Sequence, residues 1–167
     1  MIYSHALYRA AVVERENVDC KQVAGAAILT CGAVSPGTAA PLGVNHGVYG
    51  AINTLTGKVA WSIPILTSAP ASGMTVGGDL VFFGDSDGIF YAASAATGEI
   101  LWVFDALTVP GAGGANAAPA VYEVNGVEYV VNAFGGSPIF SPLMGDAVIA
   151  FALPSSKTAA AAKAKAK

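Results

Sequence analysis

Three features of the 167-residue sequence predict an all-β fold, a partial β-propeller of two to three four-stranded antiparallel blades. Residues 77–102, GGDLVFFGDSDGIFYAASAATGEILW, carry a complete hairpin signal followed by a further strand. Residues 51–61 line up with residues 92–102 at an offset of 41, and each copy holds a Thr-Gly pair with a Trp five residues after the Thr. The segments between the turns lack helical periodicity. A fixed period of about 40 residues, with strands and turns inside it, is what a four-stranded propeller blade requires.

Taken in order, residues 2–13 read as a strand-like opening, the inner part of a first blade, ended by Glu14-Arg15-Glu16-Asn17. From 18 to 44 the composition shifts to Gly, Ala, Pro, Ser and Thr, the signature of a long insertion with little regular structure. Its cysteines, Cys20 and Cys31, either close a small loop or stay as reduced thiols. A metal site is not expected there, because no further Cys or suitably spaced His accompanies them. After the first repeat, residues 63–72 form a Pro-containing crossover and 73–76 the innermost strand of the next blade. Residues 80–83 are continuously apolar, as in a strand buried on both faces. Asp85-Ser86-Asp87-Gly88 turns the chain into a returning strand, 89–93, and Thr97-Gly98 turns it again into the bulky strand 99–104. In a third blade, 118–124 and 127–132 flank Asn125-Gly126, the strongest two-residue hairpin turn. A Gly/Pro-rich insertion, 135–145, precedes a last strand, 147–153, which Pro154 stops. The blades thus span about 1–62 (with the insertion 18–44), 63–104 and 105–154, and residues 155–167 are a flexible Lys/Ala-rich tail.

With 54% hydrophobic and 11% charged residues, core material is ample. Geometry sets the limit, since two or three blades form an open arc with uncovered faces and strand edges. The arc is expected to associate with a complementary propeller segment or with itself. The last strand lacks an outer neighbour, which the 2–13 strand or a partner would supply. Four of the eight basic residues, Lys157, Lys163, Lys165 and Lys167, sit in the tail. The body is therefore acidic and nucleic acid is not an expected partner. No apolar run reaches the length of a membrane span, and the start at Met1 lacks a basic and apolar signal segment.

Candidate chemistry is sparse. His5 and His46 stand alone among apolar and small residues, which favours hydrogen-bonded structural roles over a base or a ligand. Asp85 and Asp87 have calcium-loop spacing but no distal Glu, so the hairpin turn is the better reading. Gly111-Ala112-Gly113-Gly114 is not followed by Lys-Ser/Thr and reads as a flexible crossover. No Ser lies in a Gly-x-Ser-x-Gly setting, and catalytic residues are expected to be none. Trp61 and Trp102 are expected to be structural, each buried against the adjacent blade.

Several segments match in order those of the pyrroloquinoline quinone (PQQ)-dependent alcohol dehydrogenases, eight-bladed quinoprotein propellers. Residues 51–61 and 92–102 resemble the tryptophan-docking motif Ala-x-Asp-x-x-Thr-Gly-x-x-x-Trp, and 77–84 resemble the family's Gly-Gly-x-Leu-Val-Phe-x-Gly strand. The series 119–130, Gly135-Gly136 and 145–154 resembles the family's C-terminal close. The match covers roughly residues 47 to 154. The docking Asp is replaced by Asn53 and Ser94, which weakens the ties of that motif. Ser137 follows the Gly-Gly where relatives often carry Trp.

The resemblance implies that the chain is the C-terminal blade segment of such a dehydrogenase, packing the propeller and walling part of the cofactor chamber through Gly135, Gly136 and Ser137. It implies PQQ with calcium or a lanthanide in the complete assembly, a cytochrome electron acceptor and a periplasmic location. The family's metal ligands, catalytic Asp and adjacent-cysteine disulfide lie in earlier blades and have no counterpart here. The chain alone is accordingly expected to bind no cofactor or metal and to be catalytically incomplete. The alternative is a non-enzymatic propeller-repeat scaffold or binding module, similar to outer-membrane assembly lipoproteins.

Overall fold

The computed structural model of the protein describes residues 1–8, 13–15, 34–36, 46–66, 68–138, 140 and 143–152. Cys20, Cys31 and the tail 155–167 lie outside the described residues. Twelve strands account for nearly all of the regular structure, with one short 3-10 turn at Ala106–Thr108. The central sheet is the unit legible in residues 77–102. Strands β6 (Thr75–Gly77), β7 (Leu80–Gly84), β8 (Ile89–Ser94) and β9 (Ile100–Asp105) pair in sequence order as an antiparallel meander.

The flanking sheets are three-stranded. On one side β1 (Ile2–Tyr8), β4 (His46–Ile52) and β5 (Val59–Ile65) pair in the order β1-β4-β5. On the other, β10 (Ala120–Val124), β11 (Val127–Phe134) and β12 (Ala147–Ala152) pair in sequence order. A short ladder joins β2 (Val13–Arg15) to β3 (Val34–Pro36), so the 18–44 insertion returns to pair with the segment before it.

The predicted blade array is therefore present, but only its middle sheet has four strands among the described residues. The N-terminal strand does not complete the last sheet. Its register, from Ile2 opposite Ile52 to Tyr8 opposite His46, places it beside β4, where β7 stands beside β8 in the central sheet. It is thus the second strand of its blade by position and not the innermost. The reason is local: Tyr3 and His5 reach the rings of Trp61 and Tyr49 at 5.9 and 5.8 Å, so β1 covers the same apolar face as its neighbours.

The core lies between sheets. Tyr49, Ala51, Trp61 and Ile65 of the first sheet meet Val81, Phe83 and Ala93 of the central one. Phe82, Phe90 and Ala92, from the other face of the central sheet, meet Val130 and Phe134 of the third. Alternation along β7 sends Val81 and Phe83 one way and Phe82 the other, and all three are buried. That explains the continuous apolar run, because the strand has no solvent face.

Both sequence repeats carry the same irregularity. Ala51 pairs with Trp61 and Ile52 with Val59, leaving Ala60 as an extra residue on β5; Ala92 pairs with Trp102 and Ala93 with Ile100, leaving Leu101 extra on β9. The two Trp residues that follow these bulges differ in burial. Trp61 is 8% exposed and Trp102 is 39% exposed. The expectation that Trp102 is buried is thus corrected. Trp61 rests on the Thr-Gly turn of the next sheet, whereas Trp102 meets the side of β12, edge-on to Phe151 with ring centroids 5.1 Å apart. Residues 153–156, Leu-Pro-Ser-Ser, contain no Thr-Gly pair to serve as an equivalent floor.

Candidate functional site

At one end of the stacked sheets the connecting loops converge, and backbone hydrogen bonds tie them together. The turn at 85–88 is closed by Asp85 N–H donating to Ile89 O at 2.9 Å. It then joins both inter-sheet crossovers. Ser86 donates its N–H and its hydroxyl to Ala69 O at 3.1 and 3.0 Å, and Ala115 N–H donates to Asp85 O at 2.8 Å. Asn116 Nδ2 donates to Ser86 Oγ at 2.8 Å. Ser72 Oγ reaches Ala117 O at 2.9 Å, so the two crossovers are also joined directly.

The 135–146 loop docks on the second crossover by the same means. Gly113 N–H donates to Phe134 O at 2.8 Å, Gly114 N–H to Leu143 O at 2.7 Å, Gly136 N–H to Gly114 O at 2.9 Å and Asp146 N–H to Gly111 O at 2.8 Å. These backbones approach so closely that side chains are excluded. A Cβ on Gly113 would lie 2.4 Å from Leu143 O, and one on Gly136, whose φ is 71°, would lie 2.1 Å from the same oxygen. The run Gly111 to Gly114, expected as a flexible crossover, is instead fixed from both sides.

Beneath this layer sits a buried carboxylate. Asp85, 3% exposed, accepts from Asp87 N–H at 3.0 Å and Ile89 N–H at 3.1 Å through one oxygen and from the Tyr91 hydroxyl at 2.8 Å through the other. The Asx-turn geometry is that of the predicted hairpin. Burial raises the Asp85 carboxyl above the ordinary carboxylate range despite these bonds. Burial, followed by the Asp85 charge, pushes the Tyr91 hydroxyl above its ordinary value. Burial does the same to Tyr49, which donates to Gly84 O and accepts from Ser72 N–H at 3.1 Å. Tyr49, Phe83 and Tyr91 form a ring ladder with centroid spacings of 4.4 and 5.2 Å.

The sequence-predicted wall residues, Gly135, Gly136 and Ser137, lie on the docked loop after β11. A Cβ on Gly135 would have only Gly145 O near it, at 3.6 Å, so this backbone is open to a flat neighbour. Their main-chain groups are largely committed: Gly136 N–H as above, Gly135 O to Gly145 N–H at 3.0 Å, and Ser137 O to Phe140 N–H at 3.1 Å. Lys58 is the one basic side chain described by its surroundings, and it sits beyond the Thr56-Gly57 turn, in the opposite kind of connection. The described residues therefore suit one wall of a chamber for a planar quinone but not a site that neutralises its carboxylates. Among the described residues, no three His, Cys, Asp or Glu side chains cluster as metal ligands do. His5 tilts over Tyr49 with ring centroids 5.8 Å apart, and His46 is exposed.

Sequence reasoning missed Tyr49, Ser72, Ser86 and Asn116 as parts of one network. They come from three different connections and one strand, and only the Asp85 turn carries a local signal for any of it.

Sheets of this kind, stacked face to face through a repeated unit with loops gathered at one end, define a β-propeller blade array. A family model of PQQ repeats, described as outer membrane protein assembly factor BamB, matches residues 22–160, and the chain belongs to this PQQ β-propeller family. Quinoprotein glucose dehydrogenase of Escherichia coli strain K12 is 51% identical over 41 residues, covering 25% of this chain and 5% of that protein. The glucose dehydrogenase A of Acinetobacter calcoaceticus is 48% identical over 44 residues, covering 26% and 6%. Among solved structures, the quinohemoprotein alcohol dehydrogenase of Comamonas testosteroni aligns with a TM-score of 0.54 and 28% identity over 73% of this chain and 18% of that one. A europium-containing methanol dehydrogenase shares the fold with a TM-score of 0.50 and 24% identity, covering 80% and 23%. The chain thus spans a small part of each relative. No helix among the described residues is long and apolar enough to cross a membrane.

Proposed function

We propose that the chain acts as the C-terminal blade segment of a periplasmic PQQ-dependent alcohol dehydrogenase, packing the propeller and walling part of the cofactor chamber. The observation that carries this reading is the docked 135–146 loop. It holds the bare Gly135-Gly136 backbone and Ser137 at the loop end of the third sheet, fixed by the Gly111 to Gly114 crossover. Its identity to two glucose dehydrogenases over 41 and 44 residues supports a substrate with an oxidisable hydroxyl or lactol carbon. Bound PQQ, with calcium or a lanthanide as Lewis acid, would supply hydride acceptance. This chain's residues exclude water and hold the wall flat, while charge neutralisation and the base come from other blades. The contact of Trp61 with the following Thr-Gly turn supports the tryptophan-docking reading. The printed name of the Comamonas neighbour joins quinone to haem, which supports a cytochrome as electron acceptor.

A second reading, a non-enzymatic scaffold, draws on the family model's description as an assembly factor. Purified chain should be titrated with PQQ and calcium, alone and with a protein carrying earlier blades, following quinone absorbance and dye reduction. The dehydrogenase reading expects quinone retention and turnover only in the mixture. Turnover by the chain alone after repurification contradicts its incompleteness, and no retention in the mixture favours the scaffold.

A further inference from the structure

Beyond the quinone reading, and without resting on it, the two end faces of the stack carry an inference about assembly. Alternation in the third sheet sends Val130, Phe134, Ile149 and Phe151 toward the central sheet. The residues between them face away. Tyr122 pairs with Tyr129 and Tyr129 with Ala152, while Val131 pairs with Ala150 and Ala133 with Val148. This outward face is apolar throughout its described rows. Val148 is 69% exposed and Tyr122 45% exposed, and the rings of Tyr122 and Tyr129 stack at 5.5 Å. The corresponding face of the central sheet, with Phe82, Phe90 and Ala92, is the one that receives the third sheet.

The opposite end of the stack differs in bulk. The first sheet's outward rows pair Ser4 with Gly50 and Gly50 with Ser62, and Ala6 with Val48 and Val48 with Pro64. Ser4, Ala6, Ser62 and Pro64 are exposed. No described side chain in these rows is charged. The chain thus ends in a bulky apolar face on one side and a flat face of small residues on the other.

We infer that these two faces bind each other between copies, the third sheet of one copy seating on the first sheet of the next. The interior supplies the template. The same polarity of contact occurs twice within the chain, the first sheet onto the central one and the central one onto the third. An intermolecular contact of that polarity continues the stack without a new kind of interface. Pairing two third sheets instead would set Tyr122 and Tyr129 of each copy against bulky side chains, whereas the Ser4, Gly50 and Ser62 row leaves room for them. The interface is therefore heterologous, using different patches on the two copies. Large uncovered apolar faces mark sites of association.

Two exposed positions test the inference in the full chain. Ala150→Glu places a charge on the third sheet's outward face and Ser62→Glu on the first sheet's. Circular dichroism and a thermal melt confirm that each variant folds. Sedimentation velocity over a concentration series should show the unaltered chain associating. Each variant should associate about tenfold or more weakly, as expected when a charge must be buried without a partner. The deciding sample is the equimolar mixture of the two variants. Each retains one intact face, so the mixture should form a dimer that neither variant forms alone and that does not grow further. The inference is overturned by a monomeric unaltered chain, by association that only Ala150→Glu abolishes, or by a mixture that stays monomeric. None of these outcomes bears on quinone retention, so a failure here leaves the proposed function standing.

Discussion

The indole Nε1 of Trp61 donates to the carbonyl oxygen of Ala95 at 3.0 Å, and the ring lies so close over Gly98 that a Cβ there would come within 2.6 Å of it. One side chain thus seals the first sheet onto the turn of the next, and its sequence counterpart Trp102 has no such floor. Trp61→Ala is expected to cost about 3–5 kcal/mol, the range for truncating a large buried aromatic. Trp102→Ala should cost about 1–2 kcal/mol, in keeping with its partial burial. Denaturant midpoints of the two variants check this, and equal losses would show that the two indoles do equivalent jobs.

Gly136 and Gly126 both have positive φ, 71° and 75°, but a Cβ on Gly126 would meet nothing within 4 Å. Gly126→Ala should therefore cost about 1–2 kcal/mol for the backbone conformation alone. Gly136→Ala should add about 1–3 kcal/mol more, because Leu143 O stands in the way. Urea titrations of the pair separate conformational strain from crowding, and similar values would mean that the 135–146 loop yields freely.

Asp85 binds its proton more tightly in the folded chain than in the unfolded one, because burial raises its carboxyl. The folded state therefore holds more protons in the window above the ordinary carboxylate value of 3.8, and stability falls as pH rises through the raised value. Below 3.8 the contribution is fully present. Asp85→Asn should flatten this fall in urea midpoints measured across the acidic to neutral range. A slope identical to that of the unaltered chain would show that Asp85 titrates normally.

Tyr49→Phe removes a hydroxyl that serves Gly84 O and Ser72 N–H at once. Leaving these buried groups unpaired should cost about 1–3 kcal/mol. Hydrogen exchange at the Ser72 amide should accelerate by more than the global loss accounts for. Unchanged protection there would mean that another group takes the place of the hydroxyl.

The strands were legible because their signals are local. The Asn125-Gly126 and Asp85 to Gly88 turns, the doubly buried run of β7 and the repeated Thr-Gly to Trp spacing each lie within a dozen residues. What lay hidden depended on distance. The placement of β1 beside β4 rests on rings 46 and more positions away in sequence, and the fate of Trp102 rests on a turn in the next blade. The fixing of Gly111 to Gly114 by Leu143, Phe134 and Asp146 is likewise non-local. The wall residues Gly135, Gly136 and Ser137 entered through family resemblance, since a glycine pair by itself says only that backbones come close.

The bulge residues Ala60 and Leu101 act as spacers that set a reading frame for the outer strands. Side chains alternate along a strand, so one residue more or less before Trp61 or Trp102 reverses the side on which the indole emerges. The distance from Thr to Trp in each repeat is therefore a counted length, and the count includes a residue that pairs with nothing. Point substitutions at Ala60 or Leu101 leave that count intact. Deleting either residue would rotate the indole to the wrong face of its sheet, so the rim of each blade should accept changes of identity far more readily than changes of length.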